Sequence, residues 1–349
     1  MSVQKPTAAA RNGRILYDER WFGATGIGRF SREVGVRLGK ASALPLSGNP
    51  AGALDVIRLS LYMLFNRHDV VLSPGFNSPL VGLSRFVLTV HDLNHIDVPY
   101  NSGFLKRAYY NFVLKRACRR AARVLTVSNY SRKRIMEWSG ASPEQVVVVG
   151  NGVSDGFLGA RKNDVSRDPS NGYLFCVGNR KAHKNEGAAI RALAALGRYP
   201  KIRLVFSGDS SDALDELAEE FGVSGRVSFT GALSEEQLAE MYRNAAALVF
   251  PSLYEGFGLP AIEAMAVGCP VIASRTSALG EIADGAALLF DPESDAEIVE
   301  CIETVVSSLD VRRELQRLGF ERVKAFKWEE VARLVQHAIE NGGDLGNSP

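Results

Sequence analysis

Cysteine is scarce in this sequence and scattered. Cys118, Cys176, Cys269 and Cys301 stand far apart in 349 residues, and none pairs as CxxC. That excludes a disulfide scaffold and a cysteine-built zinc or redox centre. The four read as small buried residues. Long apolar runs are missing too: none approaches the roughly 18 to 20 residues that span a bilayer. The opening stretch MSVQKPTAAARNGR lacks the apolar segment of a secretory signal, so the expected location is the cytoplasm. No glycine loop runs into the GK[ST] of a Walker A sequence. No aromatic RNP motif, helix-turn-helix or zinc spacing points to nucleic acid. No side-chain pair stands out as an enzymatic nucleophile and its base.

What is there has the balance of a globular chain, 46% hydrophobic and 23% charged. The length favours two domains. Net charge is only +2, but residues 1–160 carry 21 Lys and Arg against 10 Asp and Glu, while residues 161–349 carry 20 against 29. The halves therefore face different partners. A basic first half suits an anionic membrane, a phosphate-bearing acceptor or nucleic acid.

The first half opens with a strand, RILYD at 14–18, then the glycine loop Gly23-Ala24-Thr25-Gly26-Ile27-Gly28-Arg29, then a helix. Strand, glycine loop and helix N-terminus can hold a phosphate, or simply form a tight turn. Strands follow at 69–73 and 86–90, the second running into His91-Asp92. A polar pair at the carboxyl end of a parallel strand lies where open α/β sheets bind ligands. His91 and His95 could share a metal, but that needs a helix and a third ligand, and the strand context argues against it. Residues 102–123, SGFLKRAYYNFVLKRACRRAAR, read as a helix capped by Ser102. Phe104, Leu105, Ala108, Phe112, Leu114 and Ala117 form its apolar side. Lys106, Arg107, Lys115, Arg116, Arg119, Arg120 and Arg123 form its polar side, with no acid among them. This is an ordinary surface helix or a contact with anionic lipid head groups.

Strands at 124–127 and 146–149, with a helix at 128–139 between them, complete a first domain over 1–158. Residues 159–170 lack periodicity and read as a linker. A second domain over 171–322 alternates strands (173–177, 202–207, 227–230, 247–250, 271–273, 287–290) with helices, which implies parallel βαβ units. Residues 323–349 hold a last helix anchored by Trp328, and a tail whose final nine residues read as disordered.

One stretch, PSLYEGFGLPAIEAMAVGCPVIAS, joins a buried strand, a glycine turn and a helix start, with Glu255 and Glu263 eight residues apart. Free backbone N–H groups there suit a phosphate, and the carboxylates suit sugar hydroxyls. This stretch resembles the E-x7-E signature of retaining glycosyltransferases of family 4. SALGEIADGAALLFDP resembles the segment after it in that family. Gly26-Ile27-Gly28-Arg29 resembles the family's N-terminal glycine loop, Val90-His91-Asp92 its HD strand end, and Val177-Gly178 through Lys184-Asn185 its basic phosphate loop. Relatives often carry Arg directly after the Val-Gly pair; here Asn179 stands there and Arg180 follows. GIGR, HDL and VGNRxxHKN look most like the mannosyltransferase branch that builds O-antigen or capsule.

The resemblance implies a GT-B fold: two Rossmann-like domains facing across a cleft, with the last helix crossing back to the first. The first domain would bind the acceptor, a saccharide on a lipid carrier. The second would bind the nucleotide sugar, GDP-mannose being favoured, without a metal or other cofactor. By position, Glu263 would meet the ribose and Glu255 the transferred sugar. Gly256, Phe257, Gly258 and Leu259 would offer backbone N–H groups. Gly178, Asn179, Arg180 and Lys184 would hold the diphosphate, with Gly26 and Gly28 approaching from the other domain. His91 would sit by the anomeric carbon. The acceptor hydroxyl would attack from the leaving-group face, so no protein nucleophile is required. Rival readings are a UDP-sugar enzyme with a soluble acceptor, a sugar-nucleotide epimerase, and a non-catalytic nucleotide-sugar-binding paralogue. The presence of Glu255, Lys184 and His91 argues against the last.

Overall fold

The computed structural model describes residues 14–23, 25–98, 103–160 and 163–342. The expected cap at Ser102, Ala24 of the glycine loop and the tail from residue 343 lie outside these. The chain builds two six-stranded sheets. The first holds β1 (Ile15–Tyr17), β2 (Ala41–Ala43), β3 (Val70–Ser73), β4 (Phe86–Thr89), β5 (Arg123–Thr126) and β6 (Val146–Val148), in the order β2-β1-β3-β4-β5-β6. The second holds β7 (Tyr173–Cys176), β8 (Arg203–Phe206), β9 (Val227–Phe229), β10 (Ala247–Phe250), β11 (Val271–Ser274) and β12 (Leu288–Phe290), in the order β12-β11-β10-β7-β8-β9. Every pair is parallel. The central strands β4, β10 and β11 are buried at each residue, which is why they read as unbroken apolar runs.

Both sheets reverse direction of growth at one place, between β1 and β3 and between β7 and β10. Ligands bind outside the carboxyl ends of strands at such switch points. The Gly178–Asn185 and Pro251–Gly258 loops leave the second switch point. The glycine loop leaves the first, with the His91 turn one strand further on. The expected α/β architecture with two Rossmann-like halves is therefore present.

Four features differ from the sequence reading. First, β2 and the helix Asp55–Phe65 lie in a stretch where the sequence offered no periodic signal. DVIRLSLYMLF carries apolar residues on its outer as well as its inner side, so no single amphipathic stripe marks it. Second, the basic helix is Phe104–Tyr109, a wide π turn at Tyr110–Leu114, and Lys115–Arg120. The π turn inserts a residue and rotates the helix beyond it. The expected apolar side therefore splits: Leu114 and Ala117 are buried, while Phe104, Leu105 and Phe112 point to solvent.

Third, the last helix is where the sequence places it, Trp328–Gly342, but it is preceded by another, Leu309–Val323, that the sequence reading did not place. The break lets the last helix cross to the first domain. Phe30 meets Trp328 at 6.2 Å, Arg37 pairs with Glu329 at 3.1 Å, and Val153 N–H donates to Phe326 O at 3.1 Å. Fourth, the described part of the linker is pinned. Asn163 is buried and donates through its side chain to Tyr242 O and Ala245 O at 3.2 and 2.8 Å.

The cysteines are packing residues. Cys118, Cys176 and Cys269 are buried, and burial pushes the Cys118 and Cys269 thiols up to about 12.

Candidate active site

The strand β10 ends at Phe250, and the chain turns through Glu255-Gly256-Phe257-Gly258 into the helix Leu259–Ala266. Gly258 caps that helix at φ 104°, a left-handed conformation suited to glycine. Pro260 sits inside the first turn, where its missing N–H costs nothing. Phe257 is buried with its ring on Phe326 at 5.6 Å, so only its backbone can serve a ligand. Gly256 is a tight point between the domains. A Cβ there would stand 2.7 Å from His91 O. Ser128 Oγ donates to Gly256 O at 2.8 Å, and Ser131 Oγ donates to His91 O at 3.0 Å.

The helix Gly26–Gly35 faces this turn from the first domain. Thr25 caps it, accepting from Gly28 N–H at 3.1 Å. Its first residue, Gly26, lies against the Leu259 side chain. Two helix N-termini thus converge on one spot, and each presents N–H groups without intrahelical partners and a partial positive charge.

The basic loop joins them. Leu253 N–H donates to His183 O at 2.8 Å, which brings Lys184 beside Glu255. Lys184 Nζ lies 2.6 Å from Glu255 Oε1 and over the Phe250 ring at 5.5 Å. Gly178 N–H donates to Ser207 Oγ at 3.3 Å, and Asn179 is exposed. Arg180 has other work. Its Nη1 donates to Glu186, Nη2 to Ser207 O at 2.7 Å and Nε to Asp209 O at 2.8 Å. Its guanidinium carbon lies over Phe206 and Phe229 at 5.5 and 5.2 Å. The guanidinium expected on a diphosphate is thus already tied at every nitrogen.

Glu263 is 3% exposed. Arg29 Nη1, from the first domain, donates to its Oε1, and Tyr242 OH donates to Oε2 at 3.2 Å. Burial pushes the Glu263 carboxyl pKa up, while Arg29 and Tyr242 pull it down. His91, at the carboxyl end of β4, is half-buried. Its Nε2 meets Pro74 O at 2.9 Å, and its ring stands edge-on to Phe30 at 4.9 Å. Burial lowers its pKa. A carbonyl can only accept, so Nε2 carries the proton and Nδ1 keeps a lone pair in the neutral ring.

The structure therefore brings Glu255, Lys184, His91, Glu263 and both helix N-termini to one cleft. Sequence reasoning missed Arg29 as a partner of Glu263, and it missed Tyr242, Ser128 and Ser131. It also missed a backbone signal. Among the described residues, the non-glycine positions with positive φ are Arg180 (61°), Asn185 (51°) and Ser277 (55°). Arg180 and Asn185 flank the basic loop, and Ser277 Oγ accepts from Glu255 N–H at 2.9 Å. Strained backbone of this kind clusters at functional sites.

Residues 12–157 match the family described as Glycosyltransferase Family 4, and residues 160–322 match Glycosyl transferases group 1. The MMP alpha-(1->4)-mannosyltransferase of Mycolicibacterium hassiacum is 36% identical over 65% of this chain and 56% of its own. O-antigen chain mannosyltransferase B of Escherichia coli is 28% identical over 71% of this chain and 68% of its own. The alignments thus span between half and about two thirds of those relatives. HepE from Anabaena, solved in complex with UDP and glucose, superposes with a TM-score of 0.76 at 17% identity, over 94% of this chain and 100% of its own. That likeness carries the fold, GT-B. With its two halves matched in that order, the chain belongs to glycosyltransferase family 4.

Proposed function

We propose that the chain is a retaining hexosyltransferase moving mannose from GDP-mannose onto a saccharide acceptor. In this reading the acceptor is lipid-linked, and the product is a bacterial surface polysaccharide. The enzyme works on the cytoplasmic side of the membrane, to which the basic first domain is drawn. The observation that carries the reading is the convergence of two helix N-termini beside Lys184 and Glu255, with His91 opposite. A diphosphate fits between the N-termini, where Lys184 adds a full charge. Glu255 accepts from the sugar hydroxyls and Glu263 from the ribose. The acceptor oxygen attacks the anomeric carbon from the leaving-group face. The bond to the diphosphate breaks, and the departing phosphate oxygen takes the acceptor's proton. The protein supplies positioning and stabilises charge on the leaving group.

The mannose assignment is supported by the names of the two mannosyltransferase relatives. A second reading, a UDP-hexose donor, is supported by HepE with UDP and glucose. A thermal-shift panel of GDP-, UDP- and ADP-sugars separates them, because a bound donor raises stability by mass action. GDP-mannose is expected to give the largest shift, and the glycoside product to keep the α configuration. A shift only with UDP-sugars overturns the donor assignment, and an inverted product overturns the mechanism. Turnover is expected to persist in excess EDTA; loss restored only by a divalent ion removes the metal-free scheme.

A further inference from the structure

We infer that the helices Asp55–Phe65 and Phe104–Arg120 form one membrane-docking face, on which the first helix inserts and the second supplies charge. This deepens the membrane part of the proposed function. Its basis is an unusual surface. Of the fourteen exposed large hydrophobic residues among those described, ten lie between residues 54 and 112. The helix Asp55–Phe65 buries Val56, Leu59 and Met63 and still exposes Ile57, Leu61, Leu64 and Phe65 on its outer side. Phe65, Phe104 and Phe112 are 78, 85 and 79% exposed.

The two helices are held as one surface. Asp55 is buried and paired with Arg20 at 2.6 Å, which fixes the first helix at its start. Ser60 Oγ accepts from Leu80 N–H at 2.8 Å, and Arg116 Nη1 donates to Leu80 O at 2.8 Å. Leu80 thereby bridges the helices, and both it and the neighbouring Val81 are exposed.

Charge selects the occupant. From residue 54 to 123 the acids are Asp55, Asp69, Asp92 and Asp97, and none is exposed. Arg58, Arg67, Arg107, Arg119 and Arg120 are exposed. A second copy docked here about a two-fold axis would press arginine on arginine. An anionic bilayer answers both features: it accepts apolar side chains below the head groups, and each basic residue nearby adds roughly fivefold in affinity. The face also abuts the site. Tyr109 OH donates to Phe76 O at 3.0 Å, on the loop whose Pro74 O holds His91. An acceptor anchored in the bilayer would thus approach the cleft along this loop.

The test is sedimentation of the full chain with phosphatidylcholine vesicles, with and without phosphatidylglycerol. Binding is expected only with phosphatidylglycerol. Both the L61S/F65S and the R119E/R120E pairs should weaken it about tenfold or more. Brominated acyl chains should quench a tryptophan introduced on the inserting helix by F65W, beyond any quenching of the native tryptophans in wild type. Unchanged binding in L61S/F65S, or no added quenching, overturns the inserted face. Concentration-dependent dimers abolished by L61S/F65S, or equal binding to polyglutamate, assign the face to a protein partner instead. The same variants should keep the wild-type thermal shift with nucleotide sugar. If wild type shows no such shift but binds vesicles as expected, the transferase reading fails and the docking face stands.

Discussion

Arg29 of the first domain and Glu263 of the second share a hydrogen-bonded ion pair across the cleft. Both members are largely withdrawn from water, and Tyr242 occupies the other carboxylate oxygen. A buried carboxylate that loses its paired cation is left uncompensated, at a cost of roughly 3–5 kcal/mol. Arg29→Met is therefore expected to destabilise the fold by about that much. Glu263→Gln in the same background should recover part of the loss, giving a coupling of ~1–3 kcal/mol in a double-mutant cycle. A denaturant-unfolding cycle with additive effects removes the pair as a structural link. The same pair bears on donor binding. A ribose hydroxyl reaching Glu263 must share it with Arg29 or displace it, so Arg29→Lys, which keeps the charge but not the fork, should change KM more than kcat.

Lys184 and Glu255 stand within hydrogen-bonding distance of each other, where the proposed function puts the sugar diphosphate. A cation there acts on charge that grows on the leaving group, so its loss falls on the transition state. Lys184→Ala is expected to lower kcat/KM by ~30- to 150-fold, the equivalent of about 2–3 kcal/mol for a charge-assisted hydrogen bond. Steady-state kinetics with the best donor of the thermal-shift panel measures this. A variant at wild-type kcat/KM takes Lys184 out of the chemistry.

Arg180 is expected to behave in the opposite way. Its guanidinium is the ion-pair partner of the buried Glu186 and also binds two backbone carbonyls. Arg180→Ala should cost roughly 3 kcal/mol of stability by leaving Glu186 buried without its ion pair. Thermal melts beside kinetics distinguish the roles. A large fall in kcat/KM with an unchanged melting temperature would return Arg180 to the diphosphate.

Most of the second domain was legible in the sequence, for a physical reason. Its chemistry is local: strand, glycine turn and helix start are contiguous from Ala247 to Ala266, and their spacing alone places Glu255 at the mouth and Glu263 a turn inside. Strands such as β10 and β11, buried on both faces, announce themselves as apolar runs. The sequence hid the contacts that depend on the two halves meeting. Arg29 lies 234 positions from Glu263, and Ser128 and Ser131 meet Gly256 only because the domains close. Arg180, a loop arginine in the basic loop, reads from the sequence as a diphosphate ligand, and the structure adds contacts that the sequence does not announce. Only the fold reveals that Glu186, six residues on, is buried beneath it. The helix Asp55–Phe65 was silent because a helix apolar on its outer face has no period to detect.

His91 gives a pH prediction with a definite sign. Burial lowers its pKa in the folded protein, and His183 is lowered likewise, by burial and then by Lys184. An unfolded histidine titrates near ~6.5. Below that value the unfolded chain binds more protons than the folded one, so stability falls as pH falls from about 6.5 through the folded pKa. Above it, the neutral rings carry no penalty. Each histidine contributes at most one proton, or about 1.4 kcal/mol per pH unit. His91→Gln keeps a donor for Pro74 O but cannot titrate. Its stability from about pH 7.5 down to about 5 should therefore fall less steeply than that of wild type. The difference between the two curves isolates His91, because His183 and Glu263 are common to both. Parallel curves would mean that the His91 ring takes up its proton without leaving Pro74 O or the Phe30 contact.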